Sequence, residues 1–568
     1  MDDLVIRNAR IVDGTGQASF NGDVAISSGR LTQVGGKAGA GRREIDADGQ
    51  VVSPGFIDGH THMDAQINWD SPGSPSCWHG VTSVVMGNCG FTLAPCHRDA
   101  RALVVRNLER AEDIAAEAMA QGIEWSWETF PEYLDAVDRL PKGINYAANV
   151  GHSALRTWAM GEAAFERPAN EAELQKMELQ LADALRAGAI GFTTSLSAHH
   201  ETSDDRPVAS RLAGWDEVQR LVKGMKRAGG GVFELAKEPA TNSGDPRQRR
   251  LPLERMKQLA VESGIPMTFG LYATGPTREV WRDQLALLDE TAAGGGVMAG
   301  QSHSRGISVL LSFKTSLPFD KLPVWRELRA LPQEEQKRRL GDRELRARLV
   351  QEAQHGDYGR AIGAEARKPD WDRITILERP LPPNPTLAEL AEARRVDPVE
   401  VMIQAALDSD FECFFMQIVD SSDEAATLEI LRHPRTIMTF SDAGAHVSQI
   451  LDASIQTHLL AYWVRQRREF TLEQAVEMIT ARAARFWGFA DRGVLRPGAV
   501  ADLNLFDADR ITPGMPTLVS DLPGGARRLM QRTEGIQATV VGGELTIWNG
   551  EHTGAFPGRL LRRGPQAQ

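Results

Sequence analysis

Residues 53–64 read SPGFIDGHTHMD, and the pair His60 and His62 is the first group along the chain with an evident chemical use. Side chains on a strand alternate with period two, so His-x-His turns both imidazoles to one face. Imidazole ligates zinc and related divalent ions, and a catalytic zinc site takes three protein ligands plus a water. Two histidines at a strand end need not hold an ion, so further donors have to decide. One arrives in TFSDAGAH, 439–446, which places Asp442 at the close of an apolar run. A carboxylate there can ligate a metal and take a proton from an attacking water, or it can cap a helix. Another is VVMGNCGF, 84–91, where Cys89 sits next to Gly90. Its thiolate can be a ligand, or its thiol can simply fill core space.

These donors need strands to hold them. From about Gly55 to about Phe489, short apolar runs alternate with amphipathic stretches, the spacing of repeated βα units around a parallel sheet. GVTSVVMG (80–87), GINYAANVG (143–151), AIGFTTSL (189–196), GGVFELA (230–236), IPMTFGLY (265–272) and RTIMTFSD (435–442) read as strands. EAELQKMELQLADALRAG between two of them has apolar residues every three or four positions and reads as a helix. The predicted fold class is α/β, a TIM-like (β/α)8 barrel over 55–490 whose site forms at the C-terminal strand ends. A polar segment near 318–382, including QEEQKRRLGDRELRARL, reads as a helical insertion, either a lid or a solvated surface. Both chain ends are β-rich, which predicts a small β-sandwich built jointly from 1–54 and 491–568.

At 568 residues the chain is longer than one core normally supports, roughly 250–300 residues, so more than one folding unit is expected. The 64 basic and 76 acidic residues give a net charge of -12, the wrong sign for a generic nucleic-acid binder. A small-molecule partner is expected instead. No apolar run approaches the roughly 20 residues of a membrane span, and the N-terminus lacks the pattern of a secretory signal. A cytoplasmic protein is the expectation. Cys77, Cys89, Cys96 and Cys413 include no CxxC pair and read as thiols.

Taken together, IDADGQVVSPGFIDGHTHMD, GVTSVVMGNCGF, NVGHSALR, TFSDAGAHV, RGVLRPGAVADLNLFD and NGEHTGAFPGRLLR resemble the amidohydrolase superfamily. GNCGF, GHSALR and TGAFPGRLLR point to its N-acyl-D-amino-acid deacylase (D-aminoacylase) branch. The resemblance covers nearly the whole chain. It implies a TIM-like barrel, a β-sandwich from both termini, a divalent metal that is usually zinc, and hydrolysis of an amide; it also admits a homo-oligomer. By the same resemblance His60, His62 and Cys89 are metal ligands, and Asp442 is both ligand and general base.

The chain departs from that pattern at strands 5 and 6, where D-aminoacylases carry histidines. GGVFELAKEP and IPMTFGLY contain none; Glu234 lies two residues before the position of the first and is a candidate replacement ligand, or the partner of a buried base such as Lys237. AIGFTTSL also lacks the lysine that other members carboxylate to bridge two metals, which favours a single ion. For substrate, His152 in NVGHSALR, Arg305 in SHSRG, His446 and Lys237 are candidates, each with a plain structural alternative. His199 and His200 read as an exposed loop pair. The expected activity is cleavage of an N-acyl amino acid, with a cyclic amide or lactone hydrolase, or a hydratase or decarboxylase, as alternatives. A metal-binding protein without catalysis is the alternative of another class.

Overall fold

The computed structural model describes residues 1–275, 277–359, 367–421 and 423–564. Its centre is a curled parallel sheet of eight strands, each beside the next in chain order. They are β1 (Phe56–Asp58), β2 (Val81–Met86), β3 (Asn145–Gly151), β4 (Gly191–Ser195), β5 (Val232–Ala236), β6 (Met267–Gly270), β7 (Met298–Ser302) and β8 (Thr436–Met438). Nearly every residue of these strands is buried, as parallel strands covered on both faces require. The sequence runs read as strands 2 to 6 and 8 fall on them. β7 is an addition: Met298 pairs with Met267 of β6, and Gly300 with Thr436 of β8. Its segment, VMAGQS, has small residues in place of a β-branched run, so only its neighbours mark it as a strand.

Both sheet ends continue past a break. β1 runs beyond Gly59 into His60–Thr61, and β8 beyond Thr439 into Phe440–Ala443; these extensions pair in parallel, Phe440 opposite His60 and Ala443 opposite Thr61. The Gly59 N–H donates to the Thr439 hydroxyl, and the His62 N–H to the Ala443 carbonyl at 2.8 Å. The sheet therefore curls far enough to lay its first and last strands side by side, and that seam carries the His60, His62 and Asp442 side chains.

Helices pack outside. The helix Glu171–Ala187 starts at a capping box between Asn170 and Glu173, buries Met177, Leu181, Ala184 and Leu185, and stops at Gly188 with φ 113°. No helix among the described residues is long and apolar enough to cross a membrane.

The two chain ends share one nine-stranded sheet. Val51–Pro54 pairs with Leu503–Phe506, setting Val52 opposite Leu505, while Asp2–Ile11 and Ile536–Val541 lie on either side. Its own core contains Leu4, Ile6, Val24, Val52, Leu503 and Val540. Residues 307–420 hold a separate unit, in which Ile307–Leu311, Phe415–Asp420 and Ile374–Ile376 form an antiparallel sheet. The polar segment near 318–382 falls within it and supplies the helices Pro323–Arg329, Gln333–Arg339 and Arg343–His355. Those helices turn Trp325, Leu328, Leu345 and Leu349 into a core shared with Phe313, Met402 and Phe411. Residues 360–366 of this segment, and 565–568 of the C-terminal portion, lie outside the described residues.

The tail crosses back to the central sheet. Tyr146 of β3 receives Leu561 N–H at its carbonyl (2.6 Å) and donates to the Arg559 carbonyl (3.0 Å). Gly558 passes so close that a Cβ there would stand 2.1 Å from the Ile144 carbonyl oxygen. Gly558→Ala is accordingly expected to cost about 1–3 kcal/mol, read as a lower urea midpoint at unchanged m-value.

Candidate active site

Asp442, Cys89 and His446 share a backbone conformation that non-glycine residues rarely adopt, with φ of 55°, 54° and 47°. At Cys89 the left-handed turn after β2 is flanked by Gly87 and Gly90, also at positive φ, and it aims the thiol inward. At Asp442 the turn ends the β8 extension and points the carboxylate at the histidines of the β1 extension.

The resulting cluster is tight. Asp442 Oδ1 lies 3.4 Å from His60 Nε2 and 3.2 Å from His62 Nε2. Cys89 Sγ is 3.4 Å from the same His60 nitrogen. The His60, His62 and Cys89 donor atoms all fall within 4.8 Å of one another. His60 stacks on Phe440, centroids 3.7 Å apart, which fixes the ring plane. Around a small divalent ion, bonds of about 2.0–2.3 Å in tetrahedral arrangement place donors roughly 3.3–3.7 Å apart. The observed spacings match that edge length. Moreover, Asp442 Oδ1 and His62 Nε2 make no hydrogen bond despite their proximity, so their contact is one of converging donors.

Electrostatics point the same way. Burial, with the charges of Glu234, Glu112 and Asp442, pushes the Cys89 thiol well up. Burial likewise raises Glu234 to about 8, and Asp58 and Asp64 to about 7. Asp442 is the exception: burial opposes its ionisation, but the attraction of the His60 and His62 imidazoles converging on its Oδ1 holds it well below the ordinary carboxylate range. Among the described residues no lysine or arginine pairs with Asp442, Glu112 or Glu234. A cation in the cluster would reverse this frustration and deprotonate the thiol. The residues present fit a divalent metal.

Glu234, from β5, does reach this region, and its Oε2 accepts the Cys89 N–H at 2.9 Å. His446 lies at the rim, its Nε2 3.9 Å from Glu112 Oε2. The other sequence candidates are engaged elsewhere. His152 has both ring nitrogens occupied, Nδ1 by Thr194 Oγ1 at 2.7 Å and Nε2 by Glu217 at 2.9 Å. Arg305 gives Nη2 to Asp452 Oδ1 at 2.9 Å and to the Leu451 carbonyl at 3.0 Å. Lys237 donates to the Gly270 carbonyl at 2.5 Å and to Gln284 at 2.6 Å, and burial lowers its ammonium to about 7.

Three further residues near the cluster were not among the predicted site residues. Glu112 is 2% exposed and brings Oε2 to 3.6 Å from His62 Nε2. Its neighbours, in RAEDIAAE, make it look like any solvated acidic loop residue. His200 corrects the expected exposed pair: His199 is exposed, but His200 turns inward, Nδ1 at 2.7 Å from Ser195 Oγ and its ring 5.2 Å from Phe91. His303, buried at the end of β7, sets its ring 5.3 Å from Phe440.

A family model for the amidohydrolase family matches residues 43–547. The chain belongs to the amidohydrolase family. This amidohydrolase is 28% identical to an N-acyl-D-aspartate deacylase of Alcaligenes xylosoxydans xylosoxydans, over 99% of the chain and 95% of the relative. It is 29% identical to an N-acyl-D-glutamate deacylase of the same organism, over 99% and 96%. Among solved structures, the N-acyl-D-glutamate deacylase of Bordetella bronchiseptica, complexed with zinc and a phosphonate mimic of the tetrahedral intermediate, superposes with TM-score 0.64. That match has 25% identity and covers 99% of this chain and 100% of the other.

Proposed function

We propose that this amidohydrolase is a metal-dependent deacylase that hydrolyses the amide bond of an N-acyl-D-amino acid. The observation that carries the reading is the convergence of the His60, His62 and Cys89 donor atoms within 4.8 Å of one another, with Asp442 Oδ1 at 3.4 and 3.2 Å from the two histidines. We assign those four residues as ligands, with Glu234 beside them, and zinc as the ion, because thiolate and imidazole are donors it favours. The eight-stranded sheet reads as a TIM-like (β/α)8 barrel closed at the His60–Phe440 pairing, with the terminal strands as its companion sandwich. The D-aspartate and D-glutamate deacylases similar to it over their full length support the small-molecule substrate class.

Bound in this cluster, a divalent ion supplies polarisation of the acyl carbonyl and acidification of water. Asp442 takes the proton of the attacking water, and its carboxylate is the part of the cluster with an edge open to solvent, 22% exposed. As the C–N bond breaks, Asp442 returns that proton to the departing amine, leaving a free amino acid and a carboxylate. Phe440 shields one face of His60 and keeps that ligand from turning.

A panel of N-acetyl-D- and L-amino acids, with metal content measured on the same samples, tests the proposal. Turnover of D-substrates in proportion to bound metal, and loss of turnover with a chelator, is the expected result. Full activity in metal-free protein would exclude the reading.

A further inference from the structure

We propose that Glu112, a carboxylate from the turn after the helix Arg101–Glu109 between β2 and β3, is a ligand of the metal centre. The proposal rests on the metal-dependent reading above and deepens it.

Four observations carry it. First, Glu112 Oε2 lies 3.6 Å from His62 Nε2, close to the 3.2–3.4 Å that relates Asp442 to the two histidines and Cys89 to His60. Second, the contact is not a hydrogen bond: His62 Nδ1 and Nε2 and Glu112 Oε1 are all buried without a partner. Both side chains are only 1–2% exposed, out of reach of bulk solvent. A carboxylate buried without a partner is costly, and among the described residues the ion-pair contacts of Glu112 within 4 Å are to the imidazoles of His62 and His446, with no lysine or arginine among them. Third, Glu112 approaches the very nitrogen of His62 that Asp442 approaches. If that nitrogen binds the ion, it has no proton to give Glu112, so Glu112 does not orient the ring from behind, at Nδ1, but lies on the side of the ring that faces the cluster. Fourth, the loop is held in place. The Glu112 carbonyl accepts the His446 N–H at 2.5 Å, while Asp113 Oδ2 accepts from Ser448 Oγ at 2.6 Å and Gln449 Nε2 at 3.0 Å. Glu112 is thereby tied to the loop that carries Asp442, which preorganises the two carboxylates together.

The test compares wild type and Glu112→Gln, a neutral isostere, as metal-free full-length chains. Zn2+ is titrated against a competing chromogenic chelator, and Co2+ by its visible absorption. Glu112→Gln is expected to weaken Zn2+ binding by about 100-fold or more, beyond the roughly 10–100-fold of residues that only orient ligands. It is also expected to shift the Co2+ bands, which report directly bonded donors. The thermal midpoint of the metal-free variant should not fall, since a buried carboxyl with an orphaned oxygen has been replaced by an isostere of the same shape. Should Gln prevent folding, Glu112→Asp is read on the same scales, with weaker binding expected. Affinity within about twofold of wild type with unchanged Co2+ bands would overturn Glu112 as a ligand and leave the metal-dependent reading standing. Wild-type protein that binds neither ion would overturn both.

Discussion

Asp442→Asn is expected to lower kcat on an N-acyl-D-amino acid by about 10²–10⁴-fold, the range that a positioned general base contributes. Asparagine keeps the shape and one oxygen donor of aspartate but has no basicity at neutral pH. Substrate binding should therefore change less than turnover, and kcat and kcat/KM should fall together. The expectation depends on Asp442 being ionised although only an edge of its carboxylate reaches solvent. Both histidines act on one of its oxygens, at 3.4 and 3.2 Å, and hold the carboxyl low. Steady-state kinetics beside metal analysis of the same preparation measure the effect. Near wild-type turnover with metal bound would remove Asp442 from its role as base.

Glu217→Ala is expected to cost about 3–5 kcal/mol of folding stability, because it strands a buried cation. Glu217 is 4% exposed and Arg156 is fully buried. The Arg156 Nη1 donates to both Glu217 oxygens, at 2.5 and 2.7 Å, and His152 Nε2 meets the first at 2.9 Å. Removing the carboxylate leaves the guanidinium with the Arg167 carbonyl at 2.8 Å as its remaining acceptor. A urea titration at pH 7 reads the loss as a lower midpoint. The same group sets a pH dependence. Burial works against its charge but is outweighed by His152 and Arg156, which bring its pKa from 4.5 to about 2. Its stabilisation is thus full above pH 4.5 and is lost as pH falls from 4.5 towards 2, because the unfolded chain takes up the proton first. In Glu217→Ala that part of the acid slope should vanish.

The parallel sheet was legible because most of its strands carry dense apolar runs: GVTSVVMG and AIGFTTSL announce burial on both faces. VMAGQS does not, since its small residues suit crowded contact with β6 and β8, a need no local pattern expresses. A similar limit governed the polar segment after Pro318. Its charge density suggested a lid or a solvated surface, yet its sparse Trp325, Leu328 and Leu349 meet Met402 and Phe411 from distant sequence and build a core.

For this protein the sequence alone marked the candidate donors at the strand ends. His-x-His on a strand, a cysteine beside a glycine, and an aspartate closing an apolar run are short-range patterns, and strand periodicity with left-handed turns fixes where such side chains point. Tertiary structure decided which further side chains meet them. His152 was drawn to Glu217, Arg305 to Asp452 and Lys237 to Gln284, while Glu112 and His200 were turned inward. A buried polar group takes whichever partner the packed chain brings within reach, and for His152 and Arg305 that partner lies 65 and 147 residues away.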